Sequence, residues 1–446
     1  MPARKISARE AVYKGLLRMQ QGAYSNLLLD SLLSELDDSR ERQFAAQLFY
    51  GVLERDVTIR WVIRCLIGKP ESKLDNEVIA ALSIALYQIK WMDGVPDAAA
   101  VNESVNLIRH SKKKSAAGFV NGVLRSFLRK EGQLPLPEDP MGRAEIEYAM
   151  PRWILEIWKR DYGMDTALRL AESCLGRPPI QLRVNTLVTN RDAVMTELEG
   201  EGVKVRPHPL LGDCLTVSET GSLGRLAAIK EGRCYVQDAA SQLCARAVDP
   251  QPGETVLDLC AAPGSKSFTM AQLMKDRGQL LSFDLHPHRA QLIADGARRL
   301  NIHCIQAETG DAAKYNAALP LADRVLCDVP CAGLGVMRRK PEIRRKSAKE
   351  IAGLPEIQLA ILHNAANYLR PGGILVYSTC SLNKDENDRV AAAFLAAHPD
   401  FTPSPLGAVF EQLGADGNTV GGNTVTLMPH TGDYDGFYIA RFSKRV

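Results

Sequence analysis

The first 140 residues carry the hydrophobic spacing of helices and almost no strand-like alternation. Apolar side chains recur every three or four residues, the repeat that gives a helix one buried face. These runs begin at Ala11, Leu27, Phe44 and Val78. Glycine and proline interrupt them at 68–70 and 94–97, where the loops of a helix bundle are expected. We therefore predict an all-α domain over residues 1–140, followed by a proline-rich linker.

A smaller segment, residues 146–236, mixes the two periodicities. A helix is expected to open at Pro151 and to run to Tyr162. Strands are expected at 181–185 and 203–206, with a helix at 190–200 between them. A βαβ unit of this size is a small module and not a full domain, so we predict an α+β linker module here.

Strands and helices alternate from residue 237 to residue 446. Nearly continuous apolar strands occupy 255–259, 279–284, 322–328 and 373–378. Strands that are apolar along their whole length are buried on both faces, as in a parallel sheet covered by helices. We predict a doubly wound, Rossmann-like α/β domain, in which ligands bind at the carboxyl ends of the strands. The chain is thus expected to be multidomain.

Composition excludes several classes of protein. With 446 residues, of which 46% are hydrophobic, the chain can form two or three domains and is too apolar to be disordered. No apolar run approaches the ~20 residues that a membrane helix needs, so no membrane partner is predicted. The ten cysteines are too sparse for a disulfide scaffold, and none forms a Cys-x-x-Cys pair. We expect free thiols, a cytoplasmic location and no metal site.

The charge balance is unusual for a nucleic-acid binder. The net charge of +3 is small, so any contact with RNA must be local. The densest basic run, 338–349, holds seven basic residues and one acidic residue and lies just after Cys331. A second basic cluster consists of Arg109, Lys112, Lys113, Lys114, Arg125, Arg129 and Lys130. We expect both to face RNA, although charge runs are also common on solvated surfaces.

Small and acidic residues follow the first three strands of the α/β domain. A tight turn, Cys260–Lys266, follows the first strand and leads into a helix whose start offers free N–H groups. Asp284 ends the second strand, where a carboxylate can accept ribose hydroxyls, and Asp311 follows the third. The turn fits neither a dinucleotide fingerprint nor a P-loop, and each carboxylate taken singly could be a turn or cap residue. Together they outline an adenosine-type site.

Cysteines follow the next two strands. The sequences Asp328-Val329-Pro330-Cys331 and Ser378-Thr379-Cys380-Ser381 bring two thiols to one edge of the sheet. Neighbouring cations and helix starts can activate a thiol in such a position. The alternative for a single cysteine is a small packed side chain, which is our interpretation of Cys327 within its strand.

These motifs resemble those of RNA cytosine-C5 methyltransferases of the Nop2/Sun family. The resemblance rests on residues 258–266, 328–331 and 378–381, with further elements at 237–242 and 435–437. The helical region, through residues 118–125, is similar to NusB RNA-binding domains. One departure is Ser265, where the family usually has a second glycine.

The resemblance implies an S-adenosyl-L-methionine-dependent enzyme that methylates C5 of a cytosine in 16S ribosomal RNA, either naked or early in assembly. It implies that Cys380 attacks C6 of the base and that Cys331 assists release of the product. Asp328 would bind the N3/N4 edge of the cytosine, and Lys266 would supply positive charge beside the Cys380 thiolate. The residues that it assigns to the cofactor are Cys260, Ala261, Ala262, Pro263, Gly264, Ser265, Lys266, Asp284, Asp311 and Asp328.

Two other functions stay open on the sequence alone. One is a non-catalytic, NusB-like RNA-binding or antitermination protein, which the joint presence of Cys331, Cys380, Asp328 and Lys266 disfavours. The other is a cytosine-C5 methyltransferase of tRNA or another RNA, because the ribosomal assignment rests on the pairing of domains. The sequence does not fix the oligomeric state, and a monomer is compatible with it.

Overall fold

The computed structural model describes residues 6–19, 31–130, 134–407, 410 and 422–446 of the chain. The chain divides into two compact units. The first consists of Met1–Gly176 and Met337–Lys346, and the second of Arg177–Val336 and Ser347–Val446. The predicted domain boundaries at 140, 146 and 236 stay predictions. Among the described helices, none is both long and apolar enough to cross a bilayer.

The first unit is helical, as its hydrophobic spacing predicts. Leu48, Phe49 and Leu82 are fully buried where the apolar faces of its helices meet. At the predicted break, Gly68 ends a helix with φ +65°, a conformation that glycine adopts without strain. The apolar positions Leu27 and Leu28 lie outside the described residues. The helices are α1 (Ala8–Met19), α2 (Ser39–Glu54), α3 (Asp56–Ile67), α4 (Asn76–Trp91), α5 (Asp97–Arg109), α6 (Ala117–Arg129), α7 (Pro140–Glu147), α8 (Arg152–Tyr162) and α9 (Met164–Ser173).

Part of the densest basic run packs inside this first unit. Residues Pro341–Arg345 form a 3₁₀ turn in which Arg344 is only 3% exposed. The Arg344 guanidinium donates to the carbonyl of Cys174 at 2.8 Å and to that of Met337 at 3.2 Å. The expectation that the whole run faces RNA is therefore wrong for Arg344, because its charge is used in hydrogen bonds within the unit.

The same holds for Arg345, which binds the buried carboxylate of Asp56. Arg345 donates to Asp56 at 2.7 Å, and Arg60 donates to the same carboxylate at 2.8 Å. Burial opposes the ionisation of Asp56, but the two guanidiniums outweigh it and hold the pKa of Asp56 below its ordinary value. Asp56 and Arg345 are 289 residues apart, so no local pattern could have revealed the pair.

Replacing Asp56 by Asn should destabilise the first unit, because two guanidiniums lose their carboxylate in a largely buried place. We expect a loss of about 1–3 kcal/mol in the free energy of unfolding, below the range for a fully buried pair because both arginines are partly exposed. Tryptophan fluorescence during urea unfolding measures it, since all four tryptophans lie in this unit, at Trp61, Trp91, Trp153 and Trp158.

The matched control is Glu147→Gln, which removes an exposed ion pair with Arg143 in the same unit. Exposed pairs contribute little, so this change should cost less than about 0.5 kcal/mol. Equal losses in the two variants would contradict the role given to Asp56.

The second unit begins with a four-stranded antiparallel sheet in the order β2-β3-β1-β4. The predicted succession of strand, helix and strand is present, but β3 lies between β1 and β2 and pairs with both. Strands β3 and β4 were not predicted. The elements are β1 (Ile180–Val184), α10 (Arg191–Gly200), β2 (Lys204–Pro207), β3 (Cys214–Ser218), α11 (Ala227–Lys230) and β4 (Cys234–Val236).

Within the described residues, the second sheet has eight strands, seven of them in the order β10-β12-β9-β8-β5-β6-β7, and β11 pairs with β12. The strands are β5 (Thr255–Asp258), β6 (Gln279–Asp284), β7 (Ile305–Thr309), β8 (Ala322–Asp328), β9 (Leu369–Thr379), β10 (Phe401–Pro403), β11 (Thr424–Leu427) and β12 (Phe437–Lys444). The helices are α12 (Ala239–Val248), α13 (Ser265–Leu273), α14 (Pro287–Arg299), α15 (Ala348–Ile351), α16 (Leu354–Ala366) and α17 (Asp388–Ala397).

The central strands of this sheet confirm the predicted Rossmann-like domain. Strands β5 to β9 pair in parallel, whereas β12 pairs antiparallel with β9 and adds an edge that was not predicted. The first strand, β5, lies between β6 and β8, so the strand order reverses there. Open α/β sheets bind ligands at the carboxyl ends of the strands beside such a reversal.

Candidate active site

Two cysteines meet at the carboxyl edge of the parallel sheet. Cys331 follows β8 and Cys380 follows β9, and their Sγ atoms are 3.2 Å apart. The contact follows from strand register, because Asp328 at the end of β8 lies opposite Ser378 near the end of β9. Neither sulfur belongs to a disulfide and both thiols are partly exposed, so the structure brings together the two cysteines that the motifs singled out.

The surroundings of Cys331 favour its protonated form. The hydrogen bond with Cys380, together with burial, raises the pKa of Cys331 well above its ordinary value. The negative charges of Glu386 and Asp328 act in the same direction. Cys331 therefore holds its proton more tightly than an ordinary thiol does.

An ion pair lies beside the two thiols. Asp328 accepts a hydrogen bond from the Ser378 hydroxyl at 2.8 Å and pairs with the Lys266 ammonium at 2.7 Å. Burial alone would lower the pKa of Lys266, but attraction to Asp328 outweighs it and raises that pKa, with a contribution from Cys380. The ammonium also lies 5.2 Å from the centre of the Phe437 ring. A fixed positive charge is thus held next to Cys380.

The turn after β5 brings the backbone to the same edge. Gly264 has φ +107°, and a Cβ atom there would lie 2.5 Å from the Phe268 ring, so the turn requires glycine. The Ala261 amide donates to the Phe283 carbonyl of β6 at 2.7 Å. Helix α13 begins at Ser265 without a side-chain cap, which leaves its first N–H groups for a ligand.

Asp284 and the turn are joined by one guanidinium. Asp284 is buried, accepts a hydrogen bond from the His286 amide at 3.1 Å and pairs with Arg289 at 3.2 Å. Arg289 also donates to the carbonyl of Ala262 at 3.0 Å. Pro263 follows Ala262 in the turn. Burial raises the pKa of the Cys260 thiol well above its ordinary value, as expected for a cysteine packed in a protein interior.

Asp311 is less closely tied to the site. The Gly310 amide donates to the Asp284 carbonyl at 3.0 Å, which places the two acids on neighbouring strand ends. The Asp311 carboxylate, however, accepts from the Ala313 amide and pairs with Lys314, both at 3.1 Å. These contacts lower the pKa of Asp311, with the Ala313 hydrogen bond first. Within the described residues, the Asp311 side chain bonds to its own loop.

Sequence reasoning missed the groups that support the turn. Gln237 donates to the Ser265 carbonyl at 3.0 Å and accepts from Thr269 at 2.8 Å, so it holds the start of α13. Asp258 accepts from the Ser267 hydroxyl at 2.7 Å, and burial raises the pKa of Asp258 to about 7. The family-like element at 237–242 was a signal for Gln237, whereas nothing local predicts the hydrogen bond of Asp258.

Two glycines let the segment at 435–437 touch the loop after Cys331. The Gly335 amide donates to the Cys380 carbonyl, and the Gly436 amide donates to the Gly335 carbonyl, both at 2.9 Å. A Cβ atom on Gly335 would lie 2.0 Å from the Gly436 carbonyl oxygen. The two cysteine loops and the start of β12 are therefore joined through backbone that tolerates no side chain here.

Known proteins are similar to this chain over nearly its whole length. Family models match the NusB family over residues 6–129, an RsmF/B-like ferredoxin-like domain over 150–223 and the 16S rRNA methyltransferase RsmB/F over 245–443. A Bacillus subtilis (strain 168) protein named "Probable ribosomal RNA small subunit methyltransferase B" is 37% identical over 99% of this chain and 100% of its own. The chain belongs to the ribosomal RNA small subunit methyltransferase B family.

Other members and solved structures agree with this family. The ribosomal RNA small subunit methyltransferase B of Sodalis glossinidius (strain morsitans) is 33% identical, covering 96% of this chain and 95% of that protein. The crystal structure of PH0851 is similar with a TM-score of 0.85 and 27% identity, over 99% of this chain and 100% of the other. NSun6 from Pyrococcus horikoshii, at 22% identity and a TM-score of 0.60, shares the fold over 67% of this chain and 99% of its own. The predicted family and its NusB-like region are confirmed.

Replacing Gly335 by Ala should loosen the sheet edge that carries the two cysteines, because the added methyl group collides with the Gly436 main chain. We expect a loss of about 1–3 kcal/mol in local stability, the usual cost of overpacking. Hydrogen exchange of the β8 and β9 amides measures it. The control is Gly353→Ala, where a Cβ atom has open space and φ is −86°. If hydrogen exchange in Gly335→Ala equals that of the unaltered protein, the contact between Gly335 and Gly436 does not determine the local stability of this edge.

Proposed function

We propose that this chain transfers a methyl group from S-adenosyl-L-methionine to C5 of a specific cytosine in 16S ribosomal RNA. The observation that carries the proposal is the contact between Cys331 and Cys380 at 3.2 Å, beside the ion pair of Lys266 with Asp328. C5 of cytosine is a poor nucleophile until a thiolate adds to C6 and pushes electrons onto C5. A thiol that can be ionised, a second sulfur and a fixed cation meet that need.

In the proposed reaction, the Cys380 thiolate forms the S–C6 bond and C5 becomes nucleophilic. C5 then bonds to the methyl group, and the bond between that methyl group and the donor sulfur breaks with its electron pair left on sulfur. Cys331, after releasing its own thiol proton to solvent, takes the proton from C5 as a thiolate, and the S–C6 electron pair returns to Cys380 as the base regains its aromaticity. A thiol whose pKa is raised is a stronger base once it has lost its proton, which suits Cys331 to the elimination.

Lys266 and Asp328 are proposed to act around the base. The Lys266 ammonium stabilises negative charge on Cys380. Asp328 already accepts from Ser378 and Lys266, but a carboxylate has about four lone-pair positions, so it can also accept from the cytosine N4 amino group. A base reaches partly buried thiols only after leaving its stack, which favours a single-stranded or loop nucleotide.

The proposed cofactor residues fit an adenosine-containing ligand. S-adenosyl-L-methionine supplies an electrophilic methyl group when bound. The turn 260–266 and the uncapped start of α13 offer backbone N–H groups, and Asp284 offers a buried carboxylate for the ribose hydroxyls. Asp311 is proposed to bind the adenine amino group and Asp328 to lie near the cofactor. Serine in place of glycine at 265 is accommodated as the first residue of the helix.

The second basic cluster supports an RNA partner. All of its members except Lys113, which pairs with Asp75 at 2.8 Å, are exposed. On α6 the ring of Phe119 is 40% exposed, between two glycines, Gly118 and Gly122, with open space around them. Exposed cations beside an aromatic ring suit single-stranded RNA, since the cations meet phosphates and the ring stacks on a base.

Replacing Cys380 by Ala should abolish methyl transfer, because it removes the sulfur that is proposed to form the S–C6 bond. The assay incubates the full chain with a 16S RNA transcript and labelled S-adenosyl-L-methionine and locates label in 5-methylcytosine. The control is Cys327→Ala, which removes a fully buried thiol from β8 and should retain activity. Near-normal activity of Cys380→Ala would show that the nucleophile is misassigned, and no cytosine label with the unaltered protein would refute the proposed reaction.

Replacing Cys331 by Ala should instead stop the reaction after attack. With Cys380 intact, the adduct forms but its elimination slows, so a covalent protein–RNA complex should accumulate on a denaturing gel. The double variant Cys331→Ala, Cys380→Ala should form none. If Cys331→Ala turns over normally without trapped complex, the release role of Cys331 is wrong.

A further inference from the structure

One buried carboxylate, which the proposed chemistry does not use, binds both cysteine loops. Glu386 is fully buried and lies in the segment between β9 and α17. One of its oxygens, Oε2, accepts from the Ala332 amide at 2.7 Å, and the other, Oε1, accepts from the Ser381 hydroxyl at 2.7 Å. Ala332 directly follows Cys331, and Ser381 directly follows Cys380. The same carboxylate therefore binds the residue that directly follows each cysteine.

The remaining contacts of Glu386 complete its hydrogen bonding. Gln358 donates to Oε2 at 3.1 Å, and Asn383 donates to Oε1 at 3.3 Å. The four donors to Glu386 are neutral, and their hydrogen bonds offset the cost of burying its charge. Removing the carboxylate would leave donors of both loops without an acceptor.

The Glu386 segment is itself fixed to the sheet. The Tyr377 hydroxyl of β9 donates to the Glu386 main-chain carbonyl. Gln358 also donates to the carbonyl of Pro330, the residue before Cys331, at 3.0 Å. Glu386 therefore links the loop after β8 to the loop after β9, and its own position is fixed by Tyr377 of β9.

We propose that Glu386 is a positioning residue that sets the placement of Cys331 relative to Cys380 and thereby the rate of product release. It acts through Ala332 and Ser381 and does not itself contact the thiols. The inference rests on the proposed two-cysteine reaction. Attack on C6 needs only Cys380. Elimination needs the Cys331 sulfur at C5 while the Cys380 sulfur is still bonded to C6 of the same base. Loss of the link should therefore slow release more than attack.

The test compares Glu386→Ala with the unaltered protein in methyl transfer and in covalent capture of 16S RNA. We expect turnover to fall about 10- to 100-fold, the scale for small misplacement of a reacting group, while covalent complex accumulates. Glu386→Gln should recover most of the turnover, because its amide can accept from Ala332 and donate to the Ser381 hydroxyl oxygen. Ser381→Ala, which removes one contact and leaves the carboxylate in place, should lie between the two and serves if Glu386→Ala does not fold.

Arg389→Ala is the matched control, because this exposed residue on α17 pairs with Asp385 in the same segment and should change neither readout. Turnover and complex falling together in folded Glu386→Ala or Ser381→Ala would overturn the inference, since this is the result of a purely structural role. Unchanged turnover would overturn it as well. Cys331→Ala, run in parallel, separates a failure of the positioning role from a failure of the proposed reaction. If Cys331→Ala traps RNA and the Glu386 and Ser381 variants do not, only the positioning role fails.

Discussion

The parallel pairing of β8 with β9 is the constraint on which the placement of the two cysteines depends. Because Asp328 lies opposite Ser378, the residues that leave the two strands emerge side by side. A slip of one residue would turn every side chain of one strand to the other face of the sheet. The contact between Cys331 and Cys380 is therefore a consequence of sheet register, and loops alone would not fix it.

Charged side chains from two different elements lie around the two thiols. Lys266, at the start of α13, pairs with Asp328, whereas Glu386, in the segment before α17, accepts hydrogen bonds from both cysteine loops. The cation favours a thiolate at Cys380, and the carboxylates favour the protonated form of Cys331. Two residues of the same type thus have different charged neighbours, which come from different elements of the second unit.

Sequence patterns were sufficient for features that depend on local periodicity or on strand ends. The helix Arg152–Tyr162 and the strand ends at Asp284 and Asp328 follow from spacing and from turn residues. The antiparallel edge formed by β12, the strand β3 and the hydrogen bonds of Glu386 could not be predicted in this way. They depend on which distant segments pair, and a short strand or a buried polar residue carries no periodic signal of its partner.

The basic residues show why charge density alone is a poor guide to RNA contact. The run at 338–349 is denser than the cluster around α6, yet Arg344 is buried against main-chain carbonyls and Arg345 is paired with Asp56. On α6, Arg125 and Arg129 belong to a helix whose apolar face is already packed, so their side chains stay exposed. Amphipathic spacing identifies the solvent face of a helix. Here it predicts an exposed cation better than the number of cations in a loop does. A small net charge of +3 therefore does not argue against an RNA partner, because Arg125 and Arg129 are exposed on this helix whatever the total charge of the chain.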